Sequence, residues 1–125
     1  MKYRKILDNI QYIEELSHSD IIHNSIGFVI NNAIGKDKRD LYDATKGRWK
    51  CSLEKAKNVD LVFSLYKGVI VEIWKPNFWK KSDIEGRIQW EGIKCEDEKI
   101  REMYLYKKAP KAYSAIRYYG DIKNR

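Results

Sequence analysis

The sequence predicts an α+β domain: a small, mostly antiparallel, partly closed β-barrel with short helices packed at its ends and an extra N-terminal helix. Three observations support this prediction. The length of 125 residues suits one compact domain. Apolar residues recur at helical spacing in residues 1–18, whereas from residue 61 onward short apolar runs alternate with turn signals. We therefore read residues 1–125 as a single domain, with an amphipathic helix over 1–18 and the barrel over 26–119.

The N-terminal third predicts a helix and then a first strand. The helix should end near residues 17–19, because its apolar face is formed by Ile6, Ile10, Ile13 and Leu16. The apolar residues of the segment 26–34 have a spacing that fits a helix face, but the segment is also rich in β-branched residues, which fits a buried strand. The residues alone do not decide between the two. Residues 35–38 predict a charged turn.

Two short helices are expected next. Asp40 is a suitable N-cap for a helix over residues 41–45, and Gly47 is a suitable stop. Ser52 is the N-cap of a second helix that should end near Asn58.

The remainder of the chain predicts three strands, a helix and a closing strand. A hairpin over residues 61–74 should turn at Lys67 and Gly68, and Pro76 should end its second strand. A lysine-containing loop then leads to an antiparallel strand around 87–92, a helix over 96–106 and a strand over 114–119. The residues expected to be mostly buried are Val62, Leu65, Val69, Val71 and Ile73.

Charge indicates the class of partner. Residues 41–125 contain nineteen Lys/Arg and twelve Asp/Glu, whereas residues 1–40 contain six of each, so the later module carries the whole net charge of +7. A basic domain attracts polyanions, most commonly nucleic acid. The alternative is that the charge serves solubility alone.

Other partners and compartments are disfavoured. Cys51 and Cys95 have no second Cys or His at metal-binding spacing, and His18 and His23 lie outside any zinc pattern. We therefore expect reduced packing thiols in a cytoplasmic protein that binds no metal and needs no cofactor. No apolar run approaches the roughly 20 residues of a membrane span, so no membrane partner is expected.

We expect no enzymatic activity. Catalysis needs a positioned nucleophile, an acid–base pair or a metal set, and none is recognisable in the sequence. The one acidic cluster, at residues 96–98, is expected at a helix N-terminus, where it interacts favourably with the helix dipole.

Binding is better supported, because aromatic residues make up 13% of the chain and many stand next to cations. A base stacks on an aromatic ring while neighbouring cations hold its phosphates, so this pattern is typical of single-stranded or flipped-base recognition. Trp74 and Trp90 on strands are more often packing residues, whereas Trp49 suits a core position or a pocket wall equally. Trp79, after Pro76, is the tryptophan expected to be exposed.

Arg87 is the leading polar candidate. It follows Gly86 at a strand start, where a guanidinium can contact a phosphate or carboxylate through two hydrogen bonds. The alternative is a structural ion pair with Glu72 or Asp43. Thr45 suits a pocket, but helix capping explains it as well.

The motifs in residues 26–119, about three quarters of the chain, resemble a bacterial and phage domain often found C-terminal to divergent GIY-YIG nuclease domains. The first motif is carried by Leu41, Tyr42, Asp43, Ala44, Thr45, Lys46, Gly47, Trp49 and Lys50. The later motifs are carried by Gly68, Val69, Gly86, Arg87, Trp90, Gly92, Ile116, Arg117 and Tyr118. That family looks like a PUA-like barrel, related to EVE, ASCH and YTH domains. The resemblance places a strand at 26–34 and implies a pocket for a base or nucleotide.

The chain departs from this family in two places. The Gly-Asn/Gln-Asn-Pro turn that relatives usually carry before the closing strand is replaced by residues 110–114. If that turn lines the pocket, the ligand choice is expected to differ. The nuclease half is absent, because residues 1–40 lack the paired Tyr motifs with a following Arg and Glu. The nuclease activity of larger relatives is therefore not carried over.

Together these observations predict a non-enzymatic module that recognises nucleic acid or a free nucleotide in an aromatic, cationic pocket. The predicted ligand-binding residues are Tyr42, Thr45, Lys46, Trp49, Lys50, Arg87, Trp90 and Arg117. The alternative is a small phage or bacterial protein–protein inhibitor of a defence or restriction factor, with Trp79 and Tyr106 as interface anchors. A third reading is an inactive remnant of a nuclease specificity domain.

Overall fold

The computed structural model describes residues 13–31 and 40–124. These residues form one mixed five-stranded sheet with the strand order β4-β3-β2-β1-β5, in which only β1 and β2 are parallel. The strands are β1 (Ser25–Val29), β2 (Leu61–Tyr66), β3 (Val69–Lys81), β4 (Ile88–Lys94) and β5 (Ile116–Tyr119). The helices are α1 (Leu41–Lys46), α2 (Leu53–Ala56) and α3 (Glu98–Tyr104), with 3-10 turns at His18–Asp20 and Asp121–Asn124. The α+β class is confirmed.

Local signals set the starts of both short helices and the end of α1 as predicted. The Asp40 carboxylate accepts a hydrogen bond from the Asp43 amide at 2.7 Å, and Gly47 ends α1 with a φ of +31°. The Ser52 hydroxyl accepts from the Lys55 amide at 3.2 Å at the start of α2. Each cap satisfies an amide that has no partner within its own helix.

The predicted hairpin is confirmed. Lys67 and Gly68 have φ values of +50° and +82°, so both central residues of the turn are in the left-handed region, as a tight two-residue hairpin requires. Val62, Leu65, Val69, Val71 and Ile73 are all buried, with 1% or less of their surface exposed.

β3 is longer than predicted, because Pro76 does not end it. Beyond Trp74, β3 pairs only with β4, and Pro76 adjoins a bulge, where the missing amide costs least. Gly92 lies opposite Pro76 and permits a close approach of the two backbones: a Cβ on Gly92 would lie 2.2 Å from the Lys75 carbonyl oxygen. Residues 76–81 are therefore strand rather than loop, and Lys80 and Lys81 belong to β3.

The far half of β3 bends over one face of the sheet. Phe28 in β1 is aligned, through Ser64 in β2, with Glu72 in β3. Trp79 is seven residues beyond Glu72, a distance of about 23 Å along a straight strand. Its ring nevertheless lies 6.3 Å from that of Phe28, so β3 must curl back. The edge strands β4 and β5 do not pair, so the sheet is open and a PUA-like barrel is not confirmed.

Apolar side chains pack on both faces of this sheet. One cluster contains Leu16, Ile21, Leu61, Phe63, Leu65, Ile70, Ile73, Cys95, Tyr104, Ala109 and Tyr119. A second contains Ile26, Phe28, Val59, Val62, Trp74, Trp90 and Ile122. Alternate residues of β2 enter the two clusters, as expected for a strand covered on both sides.

The predicted N-terminal helix is not observed in the part that the structure describes, and residues 1–12 lie outside the described residues. Residues 13–17 are not helical, because Leu16 donates to the Lys108 carbonyl and the Lys108 amide donates to Glu14. This bridge occupies the backbone groups that a helix would need. The predicted turn at 35–38 also lies outside the described residues, and the predicted strand over 26–34 is confirmed for the part in β1.

The last helix is shorter than predicted. Asp97 caps α3, which ends at Tyr104, so the residues around Tyr106 are not helical. Tyr106 has a φ of +62°, and its amide donates to the Ile70 carbonyl at 2.7 Å. None of the helices in residues 13–31 and 40–124 is long and apolar enough to span a bilayer.

Candidate functional site

A cleft with a volume of about 760 Å³ lies where the C-terminal end of β1, the end of α1 and the β3–β4 turn meet. Its walls combine an indole ring, several cations and a few apolar side chains. The residues that line it are Val29, Ile30, Asn31, Asp43, Ala44, Lys46, Gly47, Arg48, Trp49, Ile84, Arg87, Gln89 and Ala115. We call this feature the cleft.

Trp49 forms the aromatic wall of the cleft and is held firmly. Its indole stacks on Phe28, with centroids 4.4 Å apart and planes 13° from parallel. Its Nε1 donates to the Thr45 carbonyl at 2.8 Å. Its backbone exchanges two hydrogen bonds with Ile88, at 2.8 and 2.9 Å. The ring position is therefore fixed before any ligand arrives.

Gly47 is the residue that lets α1 end against this indole. A Cβ at position 47 would lie 2.6 Å from the Trp49 Nε1, and the φ of +31° is itself unfavourable for other residues. The glycine in the first sequence motif is thus explained by the close approach between helix end and ring.

Thr45 lies beneath the cleft, outside its lining. Its side chain is fully buried, and its hydroxyl donates to the Leu41 carbonyl at 2.7 Å and bonds to Ser64. Its carbonyl accepts from the indoles of both Trp49 and Trp90, at 2.8 and 3.0 Å. Thr45 therefore positions the aromatic wall from behind.

Arg87 is an exposed cation at the cleft. Its Nη1 donates to the Arg48 carbonyl at 3.0 Å, and among the described residues it forms no ion pair. The alternative partner Glu72 is instead bound by Arg101 at 2.7 Å and lies 3.7 Å from Lys94. Asp43 lines the cleft without pairing with Arg87.

Two further cations of the cleft have acidic neighbours. The Arg48 guanidinium donates to both carboxylate oxygens of Asp83, at 2.7 and 3.2 Å, in a pair more than half exposed. The Lys46 Nζ lies 3.4 Å from Glu91. An exposed pair such as Arg48–Asp83 contributes only about 0–1 kcal/mol, so it opposes the binding of an anion to Arg48 only weakly.

Besides Thr45, four predicted site residues do not line the cleft. Trp90 is fully buried, and its ring contacts those of Tyr42, Trp74 and Trp79. The Tyr42 hydroxyl accepts from the Gly92 amide at 3.2 Å, which ties α1 to β4. Lys50 is exposed outside the cleft. Arg117 donates to the carbonyls of Ser114 and Ala112, at 2.9 and 2.8 Å.

The structure therefore brings together Lys46, Trp49 and Arg87 from the predicted set. Sequence reasoning missed the apolar and polar members Ile84, Gln89 and Ala115, which come from three separate segments. Arg48, between Gly47 and Trp49 in the sequence, also lines the cleft. The strand order predicted from the sequence does not show that residues from these separate segments meet at one cleft.

The two predicted interface anchors are less accessible than expected. Trp79 is not in a loop: it is a half-buried residue of β3, 6.3 Å from the ring of Phe28 and 6.2 Å from that of Trp90. Tyr106 is also half-buried. Phe78, the neighbour of Trp79 on the other side of the strand, is 48% exposed.

The thiols are free, and the described residues contain no group of three or more His, Cys, Asp or Glu side chains placed to hold a metal. Burial raises the pKa of the Cys51 thiol, and burial also raises the pKa of the nearby Tyr118 hydroxyl. Cys51 therefore stays protonated near neutral pH, a state in which it is a weak nucleophile.

A second cavity, of about 480 Å³, lies at the other end of β1. It is lined by His18, Ser19, Ile21, Ile22, Gly120, Asp121 and Lys123. Its lining contains one lysine, no arginine and no tryptophan, so it lacks the combination found in the cleft.

Comparison with known proteins found no match to this chain, whether by family model, among curated proteins or among solved structures.

Proposed function

We propose that the chain is a non-enzymatic binding module whose cleft holds one nucleotide unit, either free or within a nucleic acid. The observation that carries this proposal is the exposed Arg87 guanidinium, without an acidic partner in the described residues, in the same cleft as the Trp49 indole. An arginine and an indole together suit a ligand that is an anion at one end and a flat ring at the other.

The cation supplies the phosphate contact. Arginine binds phosphate through two parallel N–H donors, and Lys46 and Arg48 add positive charge beside it. Because Arg87 is already oriented by the Arg48 carbonyl, less of its rotational freedom is lost when an anion binds.

The indole supplies the base contact. Trp49 is stacked on Phe28 and hydrogen-bonded through Nε1, so it presents a rigid aromatic surface to the cleft. Stacking of a base on such a ring contributes about 1–3 kcal/mol. A volume near 760 Å³ lies within the range of small-molecule sites.

The resemblance to PUA-like barrels remains part of this proposal. The inward curl of β3 and a pocket beside the first motif are compatible with a strongly opened relative of that fold. The pocket differs from the expected one, because Tyr42 and Trp90 pack behind it rather than line it. A protein-binding inhibitor remains the alternative, but its expected anchor Trp79 is half-buried, so the cleft is the better-supported site.

Arg87→Ala is expected to weaken nucleotide binding by about 1.5–3 kcal/mol, the range for a hydrogen bond to a charged group. Because the side chain is exposed, Tm should stay close to that of the wild type. Isothermal titration with the four ribonucleoside monophosphates and with single-stranded octanucleotides measures the affinity, and thermal unfolding measures Tm.

Lys50→Ala is the matched control, since Lys50 is an exposed cation outside the cleft lining. It should retain wild-type affinity. Two results would contradict the proposal. One is that the wild type binds none of these probes at low salt; the other is that Arg87→Ala lowers Tm but leaves the affinity unchanged.

A further inference from the structure

A strip of exposed and half-buried side chains lies on the outer side of the β3–β4 ladder, the side opposite Trp79 and Trp90, and meets the cleft at Gln89. Gln89, which lines the cleft, is directly opposite Lys80 in this ladder. Directly opposed residues share one face of a sheet, so Lys80 extends the surface on which Gln89 lies. Lys80 is exposed, and no acidic partner is found for it among the described residues.

Phe78 comes next along the strip. It precedes Lys80 by two residues on the same strand, and the Lys80 Nζ lies 5.8 Å from the centre of its ring. The ring is 48% exposed, whereas Trp79 between them points to the packed side. Phe78 is thus an exposed aromatic ring with a cation beside it.

The same pairing of an apolar and a cationic residue is repeated once more. Ile93 is 60% exposed and lies opposite Lys75, which is also exposed. Glu91, opposite Phe78, is the acidic residue of the strip, and its carboxylate lies 3.4 Å from Lys46. From Gln89 to Ile93 the strip extends about 13 Å along β4.

We infer that the nucleotide unit in the cleft belongs to a single strand of nucleic acid, which leaves the cleft along this strip with a second base stacked on Phe78. This inference rests on the function proposed above and specifies its ligand. A free mononucleotide occupies the cleft alone and gives no role to Phe78, Lys80 or Lys75. A strand needs stacking surfaces and phosphate contacts along its path, and the strip supplies one aromatic ring, Phe78, between the cations Lys80 and Lys75.

The inference predicts which substitution changes the affinity for which probe. Phe78→Ala should weaken binding of octathymidylate or octauridylate about five- to 150-fold, the equivalent of one lost stacked base. It should leave the affinity for a nucleoside monophosphate unchanged, because the ring is outside the cleft lining. Phe78→Trp should retain octamer binding. Fluorescence anisotropy with labelled octamers, and titration with monophosphates, give the two affinities.

Ile22→Ala is the matched control: Ile22 is a 70% exposed apolar residue preceding β1, at the opposite end of that strand from the cleft. It should bind both probes as the wild type does. If the wild type binds octamers no more tightly than monophosphates, or if Phe78→Ala binds octamers normally, the inferred role of the strip is wrong. Neither result contradicts the nucleotide site proposed in the cleft. If the wild type binds neither probe, the proposed function itself fails.

Discussion

Trp90→Ala is expected to lower the free energy of unfolding by about 3–5 kcal/mol, the usual range for removing a buried large aromatic side chain. Trp90 is fully buried and its ring contacts those of Tyr42, Trp74 and Trp79. The substitution also removes its hydrogen bond to the Thr45 carbonyl. Urea unfolding followed by circular dichroism measures the change.

Trp90→Phe separates the two contributions, because it keeps most of the buried ring and removes only the indole N–H. It should cost clearly less than alanine. Wild-type stability in Trp90→Ala would contradict the packing described for this face of the sheet. The variant should also disturb the cleft, since Trp90 shares the Thr45 carbonyl with Trp49.

Arg101→Ala should destabilise the fold by about 3 kcal/mol, because it leaves the Glu72 carboxylate buried without its main partner. The Glu72 side chain is 8% exposed, and the Arg101 Nη1 lies 2.7 Å from its oxygen and 3.0 Å from the Cys95 carbonyl. The effect should fall near the low end of the range for buried ion pairs, since Lys94 remains 3.7 Å from the other oxygen.

A double-mutant cycle tests this pair. Glu72→Gln combined with Arg101→Ala should cost less than the sum of the two single variants, because the neutral amide needs no cation. Chemical denaturation of the four proteins gives the coupling energy. Strict additivity would show that Glu72 and Arg101 do not depend on each other.

The parts of the fold that the sequence predicted well are those determined by neighbouring residues. Asp40, Ser52 and Gly47 act through bonds and angles within one helical turn, and Gly68 acts within one hairpin. The length of β3 depends instead on distant residues. Pro76 is tolerated because the pairing of β3 with β2 stops at Trp74 and because Gly92, on another strand, leaves room for the backbone.

The same distinction applies to the site. Lys46 and Trp49 belong to one motif, so their proximity was predictable, and the prediction also paired them with Arg87. Tyr42 and Trp90 were expected in the pocket, but their rings pack edge to face behind it. The sequence predicts a loop after Pro76, and a loop gives no reason to single out Phe78. Once residues 76–81 are known to form a strand, alternation alone places Phe78 and Trp79 on opposite faces.

The central claim is that the ligand lies in the cleft, and amide-resolved NMR of the nitrogen-15-labelled protein tests it most directly. Titration with the nucleotide probe that binds best should shift the Trp49 indole N–H and the backbone amides of Gly47 and Arg87, with saturation at the affinity found by calorimetry. These three residues line the cleft. Shifts confined to residues 18–22 and 120–123 around the second cavity, or no shifts at saturating probe, would contradict it.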